Sequence, residues 1–171
     1  MIEWLKGAQT DIMLGLASIC AIIVLFTLIT KTLPKRRQFI LLVMESCSSV
    51  WLFADRVAYL YHGVPGQAAY YYVRISNCLV FIMTICVLES INKYLEDVML
   101  NEGAFKKVPV VLKISDYLAA AAIILVIVSQ FTGLYYTFDS SNTYQRSKLY
   151  FISYIFPYSI LVIMVVVMLL Y

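Results

Sequence analysis

Five long apolar segments make up most of this chain and limit what it can fold into. They cover residues 12–33, 39–61, 69–92, 114–134 and 149–171. Each is close to the roughly 20 residues that an α-helix needs to cross the hydrocarbon core of a bilayer. The sequence is 63% hydrophobic and only 13% charged, whereas about a quarter of the residues in soluble domains are charged. The predicted fold is therefore an all-α, polytopic transmembrane bundle of five spanning helices in a single domain.

Lysine and arginine are distributed unevenly between the connections of these segments. The first and third connections hold eight of them: Lys31, Lys35, Arg36, Arg37, Lys93, Lys106, Lys107 and Lys113. The opposite side holds only Lys6, Arg146 and Lys148. Because cytoplasmic loops retain an excess of positive charge, we expect a multi-pass plasma-membrane protein with its N-terminus outside and the connection 93–113 in the cytoplasm.

The connections predict how the helices begin, end and pair. Thr10 or Asp11 can cap the first helix, and Pro34 limits its end. The stretch HGVPGQA between segments two and three is so short that these helices must be antiparallel neighbours. In the connection 93–113 we expect an overrun of helix three, a turn and an amphipathic stretch at the membrane interface. A polar loop, TFDSSNTYQRSK, is predicted after helix four.

Two further expectations concern the outer face and the end of the chain. Tyrosines gather near the predicted outer ends of the helices, as an interfacial aromatic belt would. They are Tyr59, Tyr61, Tyr70, Tyr71, Tyr72, Tyr135, Tyr136, Tyr144 and Tyr150. The fifth segment is still apolar at Tyr171 and has no polar exit, so we expect this chain to be a fragment, truncated in or after helix five.

Three charges lie where lipid disfavours them. Asp55 and Arg56 in segment two and Arg74 in segment three are all roughly 8–9 Å from the middle of their helices, toward the outside. Because the two helices form a hairpin, Asp55 and Arg74 are expected to pair, leaving Arg56 to find another acceptor. Glu45, Ser48, Ser49 and Tyr59 extend a polar stripe along segment two.

The polar and aromatic residues of the outer half admit two interpretations. They could line an outward-facing cavity for a small ligand, or form a buried polar network that fixes helix packing. The candidate site residues are Asp55, Arg56, Tyr59, Arg74, Asn77, Gln130, Tyr154 and Tyr158. Pro157 is available to kink helix five.

The sequence contains no pattern of an enzyme, metal or cofactor site. Cys20, Cys47, Cys78 and Cys86 all lie in apolar segments without CxxC spacing, and His62 is the only histidine. We therefore expect no catalytic residues, no metal, no cofactor and no nucleic-acid partner for this chain.

Four runs carry a resemblance to a known class of protein: ESCSSVWLFADRVAYLYHG, YYYVRISN, LEDVMLNEG…KKVP and SQFTGLYYTFDSSNTYQR. They resemble the N-terminal membrane region of clostridial-type bacterial signalling proteins, in which several helices precede a cytoplasmic output domain. That domain is often a GGDEF diguanylate cyclase and sometimes a histidine kinase. The resemblance implies a sensory module with the lipid bilayer and an output domain in cis as partners, and it admits a homodimer and a small extracellular ligand.

A fragment of a small-molecule transporter or channel is the alternative. Transporters are often built from inverted repeats with paired broken helices. Helix five has a proline, but no other span has a matching break, which favours the sensory interpretation.

Overall fold

The computed structural model describes residues 2–103 and 107–170, and their side chains from Gly7 onward. It contains five α-helices and a two-stranded antiparallel hairpin. The elements are α1 (Ile2–Ile29), α2 (Lys35–Tyr61), α3 (Gln67–Asn101), α4 (Val110–Thr132), β1 (Tyr136–Phe138), β2 (Tyr144–Arg146) and α5 (Ile152–Leu170).

Four of the helices are long and apolar enough to cross a membrane. They are α1 from Gly7 to Ile29, α3, α4 and α5. The predicted all-helical architecture is confirmed, and these four helices are candidates for membrane spans. The remaining helix, α2, has 27 residues. It carries Glu45, Asp55 and Arg56 in its interior and is not among the four.

Several predicted helix ends are wrong. Helix α1 begins at Ile2, so neither Thr10 nor Asp11 caps its start. The Thr10 hydroxyl instead donates to the Gly7 carbonyl within the helix, at 2.8 Å. Pro34 does not end α1, which stops at Ile29, but precedes α2 as its N-cap residue.

The connection between α3 and α4 is shorter than predicted. Helix α3 continues to Asn101, and α4 already begins at Val110. The expected amphipathic surface stretch is therefore not a separate element, because Val110 to Lys113 form the first turn of α4, while residues 104–106 lie outside the described part of the chain.

The packing order of the helices positions every candidate residue. Helix α2 lies between α1 and α3 and packs extensively along both, while α3 packs against α4 and α5, and α4 against α5. The α2 and α5 helices make no extensive contact with each other in the described structure. The largest core cluster lies between α3, α4 and α5 and includes Ile85, Ala122, Val126, Ile160 and Met164.

The segment after α4 is a β-hairpin, where a polar loop was predicted. Tyr136 pairs with Arg146 and Phe138 with Tyr144. Asn142, at φ 59°, forms part of the turn, a left-handed conformation that Asn tolerates better than most residues. Its side-chain amide donates to the Val64 carbonyl at 2.9 Å, which ties the hairpin to the α2–α3 turn.

The predicted belt of outer tyrosines is wrong at two positions. Tyr135 and Tyr136 are 1% and 4% exposed and belong to the core cluster. The hairpin folds over the ends of α3, α4 and α5, so these two rings are enclosed by protein instead of lying at an interface.

The two ends of the bundle differ in character. We call the end with the hairpin and the α2–α3 turn the hairpin end, and the end with residues 30–37, 101–103 and 107–110 the basic end. At the basic end the Arg37 guanidinium donates to Asp97 at 3.1 Å and to Glu102 at 2.6 Å. The two lysine- and arginine-rich connections therefore meet at one end of the molecule.

Candidate functional site

The predicted ion pair between Asp55 and Arg74 is not formed. The Arg74 guanidinium lies over the Tyr70 ring at 4.2 Å from its centroid and over the Phe138 ring at 5.2 Å. Asp55 makes no ion pair or side-chain hydrogen bond with any described residue. The hairpin places the Phe138 ring beside Arg74, and two aromatic faces attract the cation there, although Arg74 Nε is buried without a hydrogen-bond partner among the described residues.

The polar stripe predicted along α2 divides between two sides of the helix. The Ser49 hydroxyl donates to the Ala17 carbonyl at 2.9 Å, and Arg56 Nε donates to the Thr10 carbonyl at 3.1 Å. Both carbonyls belong to α1. Ser49 and Arg56 therefore join α2 to α1, whereas Asp55 faces the cavities on the other side.

A cavity of about 410 Å³ lies between α2 and α5, on the surface of α3. We call it the α2–α5 cavity. Helix α2 contributes Trp51 and Asp55, and α3 contributes Phe81, Thr84 and Ile85 among others. Tyr150, just before α5, and Tyr154, Pro157 and Tyr158 within it line the opposite wall. Its volume falls in the range of roughly 300–1,000 Å³ that small-molecule sites occupy.

Asp55 also lines a second cavity, of about 370 Å³, closer to the hairpin end. The other lining residues are Ala58, Tyr59, His62, Asn77 and Tyr144. The Asn77 amide donates to the Val73 carbonyl of its own helix at 2.8 Å. This second cavity therefore gathers three of the predicted site residues, Asp55, Tyr59 and Asn77.

Arg74 and Gln130 belong to a third cavity, of about 330 Å³, at the junction of α4 with the hairpin. The Gln130 amide donates to the Tyr136 hydroxyl at 2.7 Å. Burial raises the pKa of Tyr136 to about 12, although the bond from Gln130 acts in the opposite direction. At neutral pH Tyr136 therefore keeps its proton, and its hydroxyl oxygen accepts from Gln130.

The predicted residues thus form no single site. Tyr154 and Tyr158 lie with Asp55 in the α2–α5 cavity, Tyr59 and Asn77 lie with Asp55 in the second cavity, and Arg56 contacts α1. Asp55 is the residue that the two neighbouring cavities share. A single stripe was predicted because helical spacing shows which residues share a face, but does not show which neighbouring helix that face meets.

The hairpin packs against aromatic residues that line the α2–α5 cavity. The Phe81 ring is stacked on Tyr136, with centroids 5.5 Å apart and planes at 13°. The Tyr154 hydroxyl donates to the Tyr150 hydroxyl at 3.1 Å. Tyr144 lines the second cavity. Burial, followed by the bond with Tyr150, raises the pKa of its hydroxyl, so Tyr144 stays uncharged at neutral pH.

Sequence reasoning missed several lining residues. Trp51, Phe81 and Thr84 lie in helices that were predicted, but only packing shows that they border a cavity. Trp51 is four residues before Asp55, and Thr84 is three residues after Phe81. These helical spacings placed each pair on one face and were a signal that could have been used.

A second polar cluster at the basic end was also missed. Lys93 Nζ lies 2.7 Å from Asp116, 3.0 Å from Glu96 and 3.4 Å from Glu89. The Asn92 amide donates to Asp116 at 3.0 Å. This cluster links α3 to α4, with one lysine shared by three carboxylates.

Within residues 7–103 and 107–170, no group of three or more His, Cys, Asp or Glu side chains is arranged to hold a metal ion. The four cysteines are unpaired thiols of intermediate burial.

Compared with known proteins, the chain has no significant match to a family model, a curated protein or a solved structure. Its function therefore has to be inferred from the geometry of the cavities and the charges around them.

Proposed function

We propose that this chain is the membrane-embedded sensory module of a bacterial signalling protein. It relays an external or membrane signal to a cytoplasmic output domain in cis, of the diguanylate cyclase or sensor kinase type. The observation that carries the proposal is the α2–α5 cavity. It lies between two helices that make no extensive contact in the described structure, and its lining combines one carboxylate, Asp55, with several aromatic rings.

The proposal includes α2 as a fifth span. Helix α2 runs along both α1 and α3, and each of these is long and apolar enough to cross a membrane. A helix of 27 residues is about 40 Å long, which suffices to cross with them. Two of its three interior charges are tolerable because Arg56 bonds to α1 and Asp55 faces a cavity instead of lipid.

The orientation follows from the arrangement of the ends. The basic end collects both lysine- and arginine-rich connections, so we place it in the cytoplasm. The hairpin end, with the second cavity above Asp55, then faces outside. Helix α5 runs from the hairpin end to the basic end and carries the signal inward.

The mechanism needs two arrangements of α5. A ligand in the α2–α5 cavity would contact both helices and favour one separation between them. Pro157 lines the cavity and leaves the Ser153 carbonyl without its usual helical donor. The lower half of α5 can therefore shift or rotate about this point and pass the change to the output domain.

A cavity-filling substitution tests this function without a known ligand. Leu161 lines the cavity and is 43% exposed, whereas the neighbouring Val162 is 59% exposed and lies outside this cavity. In the chain joined to a diguanylate cyclase domain, Leu161→Trp is expected to fix cyclic-di-GMP output at one level. Val162→Trp is the matched control and should behave as the unsubstituted protein. Equal output from both variants at equal membrane abundance would contradict the proposal.

A transport function is favoured by one observation, namely that Asp55 lines two neighbouring cavities. Flux of a solute across proteoliposomes that depends on Asp55 would support transport. A change of output without flux would support the sensory module.

A further inference from the structure

We infer that the α2–α5 cavity binds an organic cation with a hydrophobic body, held between the Asp55 carboxylate and the surrounding aromatic rings. This inference rests on the proposed function and names the ligand class that the sensory module would detect.

The charge of the α2–α5 cavity is the first feature that favours a cationic ligand. Asp55 is the only charged residue that lines it in the described structure. No described side chain donates a hydrogen bond to Asp55, and none forms an ion pair with it. A carboxylate in an apolar cavity at membrane depth is costly unless a partner offsets its charge. A cationic ligand would be such a partner.

The arginines near this cavity are already engaged elsewhere, and Arg146 lies over the ring of Tyr150 at 4.7 Å from its centroid. Arg56 Nε donates to the Thr10 carbonyl on α1 at 3.1 Å. Arg74 lies over the Tyr70 and Phe138 rings and lines a different cavity. Asp55 therefore remains available to a charge that comes from outside the protein.

The aromatic rings that line the cavity are the second feature that favours a cationic ligand. Trp51 on α2, Phe81 on α3 and Tyr154 and Tyr158 on α5 surround the cavity from three helices. Faces of Trp, Tyr and Phe attract ammonium groups, and Trp attracts them most strongly. A carboxylate together with such rings is complementary to an alkylated amine, whose charge is spread over methyl or methylene groups.

Other ligand classes fit this cavity less well. An anion would meet Asp55 and no lining lysine or arginine. A divalent metal ion would require several oxygen ligands, whereas Asp55 is the only carboxylate here. The remaining lining, including Val80, Leu88 and Leu161, is apolar and suits the hydrophobic body of the ligand.

The inference can be tested by direct binding. Trp4 and Trp51 are the only tryptophans, so the Trp4→Phe variant in lipid nanodiscs reports on Trp51 alone. Its fluorescence is titrated with benzyltrimethylammonium and, separately, with the uncharged isostere neopentylbenzene. The cation is expected to bind saturably and more tightly than the isostere. Asp55→Asn should weaken cation binding by at least ~10-fold and leave binding of the isostere unchanged.

A matched control and a second variant keep the test decisive. Asp11→Asn removes an exposed carboxylate on α1 outside the cavity and should leave the cation affinity unchanged. If Asp55→Asn does not fold, the double variant Tyr154→Leu, Tyr158→Leu replaces two exposed rings and should lower affinity for the cation only. Equal affinity for cation and isostere in the unsubstituted cavity would overturn the inference.

A distance measurement separates this inference from the proposed function. In a cysteine-free background, spin labels on Phe53→Cys in α2 and Val165→Cys in α5, both exposed positions, report the separation of the two helices. Cation binding without a change in separation would retain the ligand class and contradict the sensory mechanism. A change in separation caused equally by the isostere would retain the mechanism and overturn the cationic ligand.

Discussion

Individual residues decide whether the outer charges act together. Asp55 and Arg74 lie on neighbouring helices, yet the Arg74 guanidinium lies over two aromatic rings and Asp55 faces cavities. Depth and helix adjacency were readable from the sequence, but the partner of Arg74 depends on Phe138, which is 64 positions further along the chain. A long-range contact of this kind is invisible to helical spacing.

A double-mutant cycle tests this separation. Asp55→Asn and Arg74→Met should change stability independently, because no direct interaction links the two side chains. We expect a coupling energy below ~0.5 kcal/mol, the range found for independent sites, from unfolding in mixed micelles. A coupling of ~2 kcal/mol or more would show that the two charges are paired in the membrane.

Gly133 is required by the turn between α4 and the hairpin. It ends α4 with φ 65°, and a Cβ added there would lie 2.8 Å from Thr137 Cγ2. Gly133→Ala should destabilise the protein by at least ~1 kcal/mol, from the left-handed backbone alone. Unfolding midpoints in the same micelles measure this.

Gly15→Ala is the control for Gly133. Gly15 lies within α1, and an added Cβ would meet no heavy atom within 4 Å. Its substitution should be neutral or slightly stabilising, because Ala is the better helix former. An equal loss in both variants would contradict the explanation for Gly133.

At the scale of elements, the hairpin joins parts that are far apart in the sequence. Its turn is organised by Asp139, whose Oδ1 accepts from the Thr143 amide at 2.8 Å and from the Ser141 amide at 2.9 Å. Asn142 then contacts the α2–α3 turn. The hairpin thereby holds the aromatic wall of the α2–α5 cavity in place.

The hairpin turn should weaken in acid. Bonds from the Thr143 amide, followed by the Ser141 hydroxyl, lower the pKa of Asp139. Because the folded pKa lies below the unfolded one, the stabilisation is complete above the ordinary Asp pKa, about 4. It is lost as the pH falls through the lowered folded value.

The carboxyl carbon shift of Asp139, followed by NMR, measures this pKa. We expect it below that of Asp139 in an unfolded peptide, with the Thr143 amide shift following the same titration. Asp139→Asn should abolish the titration of the Thr143 amide. A normal pKa for Asp139 would contradict the proposed turn.

The basic end joins α2 to α3 through one buried carboxylate. Asp97 is 2% exposed and lies 3.1 Å from Arg37 Nε and 3.6 Å from Arg36 Nε. Arg37 is largely enclosed, whereas Arg36 is mostly exposed. Bonds with Glu102 and then Asp97 raise the pKa of Arg37, so it remains charged at any pH of interest.

The two arginines should therefore differ in their effect on stability. Arg37→Ala leaves the Asp97 charge buried with its better partner missing and should lower the unfolding temperature by several degrees. Arg36→Ala is the matched control and should have little effect, because exposed ion pairs contribute little. Equal effects would show that the Asp97 contact with Arg37 is not the stabilising one.

At the scale of the whole molecule, the two basic connections meet at one end and the hairpin lies at the other. This arrangement makes a sharp prediction for membrane orientation. In a cysteine-free background, Ser140→Cys on the hairpin should react with a membrane-impermeant maleimide in intact cells. Lys107→Cys at the basic end should react only after permeabilisation. Both positions are exposed, so reversed labelling would reverse the orientation.

Much of the architecture was readable from the sequence because lipid imposes strict requirements. A spanning helix must be long and apolar, and its backbone hydrogen bonds must be formed within the helix. Four such helices are present where the sequence has apolar segments. The short α2–α3 connection also predicted an antiparallel pair. The uneven distribution of lysine and arginine separates the same two ends that the fold separates.

The candidate site was predictable only as a set of residues. Asp55, Tyr154 and Tyr158 were among the predicted site residues, and they line one cavity. Their assembly around one cavity depends on α5 lying across α3 from α2. The hairpin was missed because its residues, such as Asp139 and Asn142, are typical of loops as well as of turns.

The sequence by itself determined that the chain forms long apolar helices with buried charges, because hydrophobic length and charge placement are local properties. Tertiary structure alone decided which charges have partners. Arg56 donates a hydrogen bond to α1, Arg74 lies over two aromatic rings, and Asp55 faces the cavity between α2 and α5. That difference arises because each helix presents several faces, and only the packing of the other helices and the hairpin determines what each face meets.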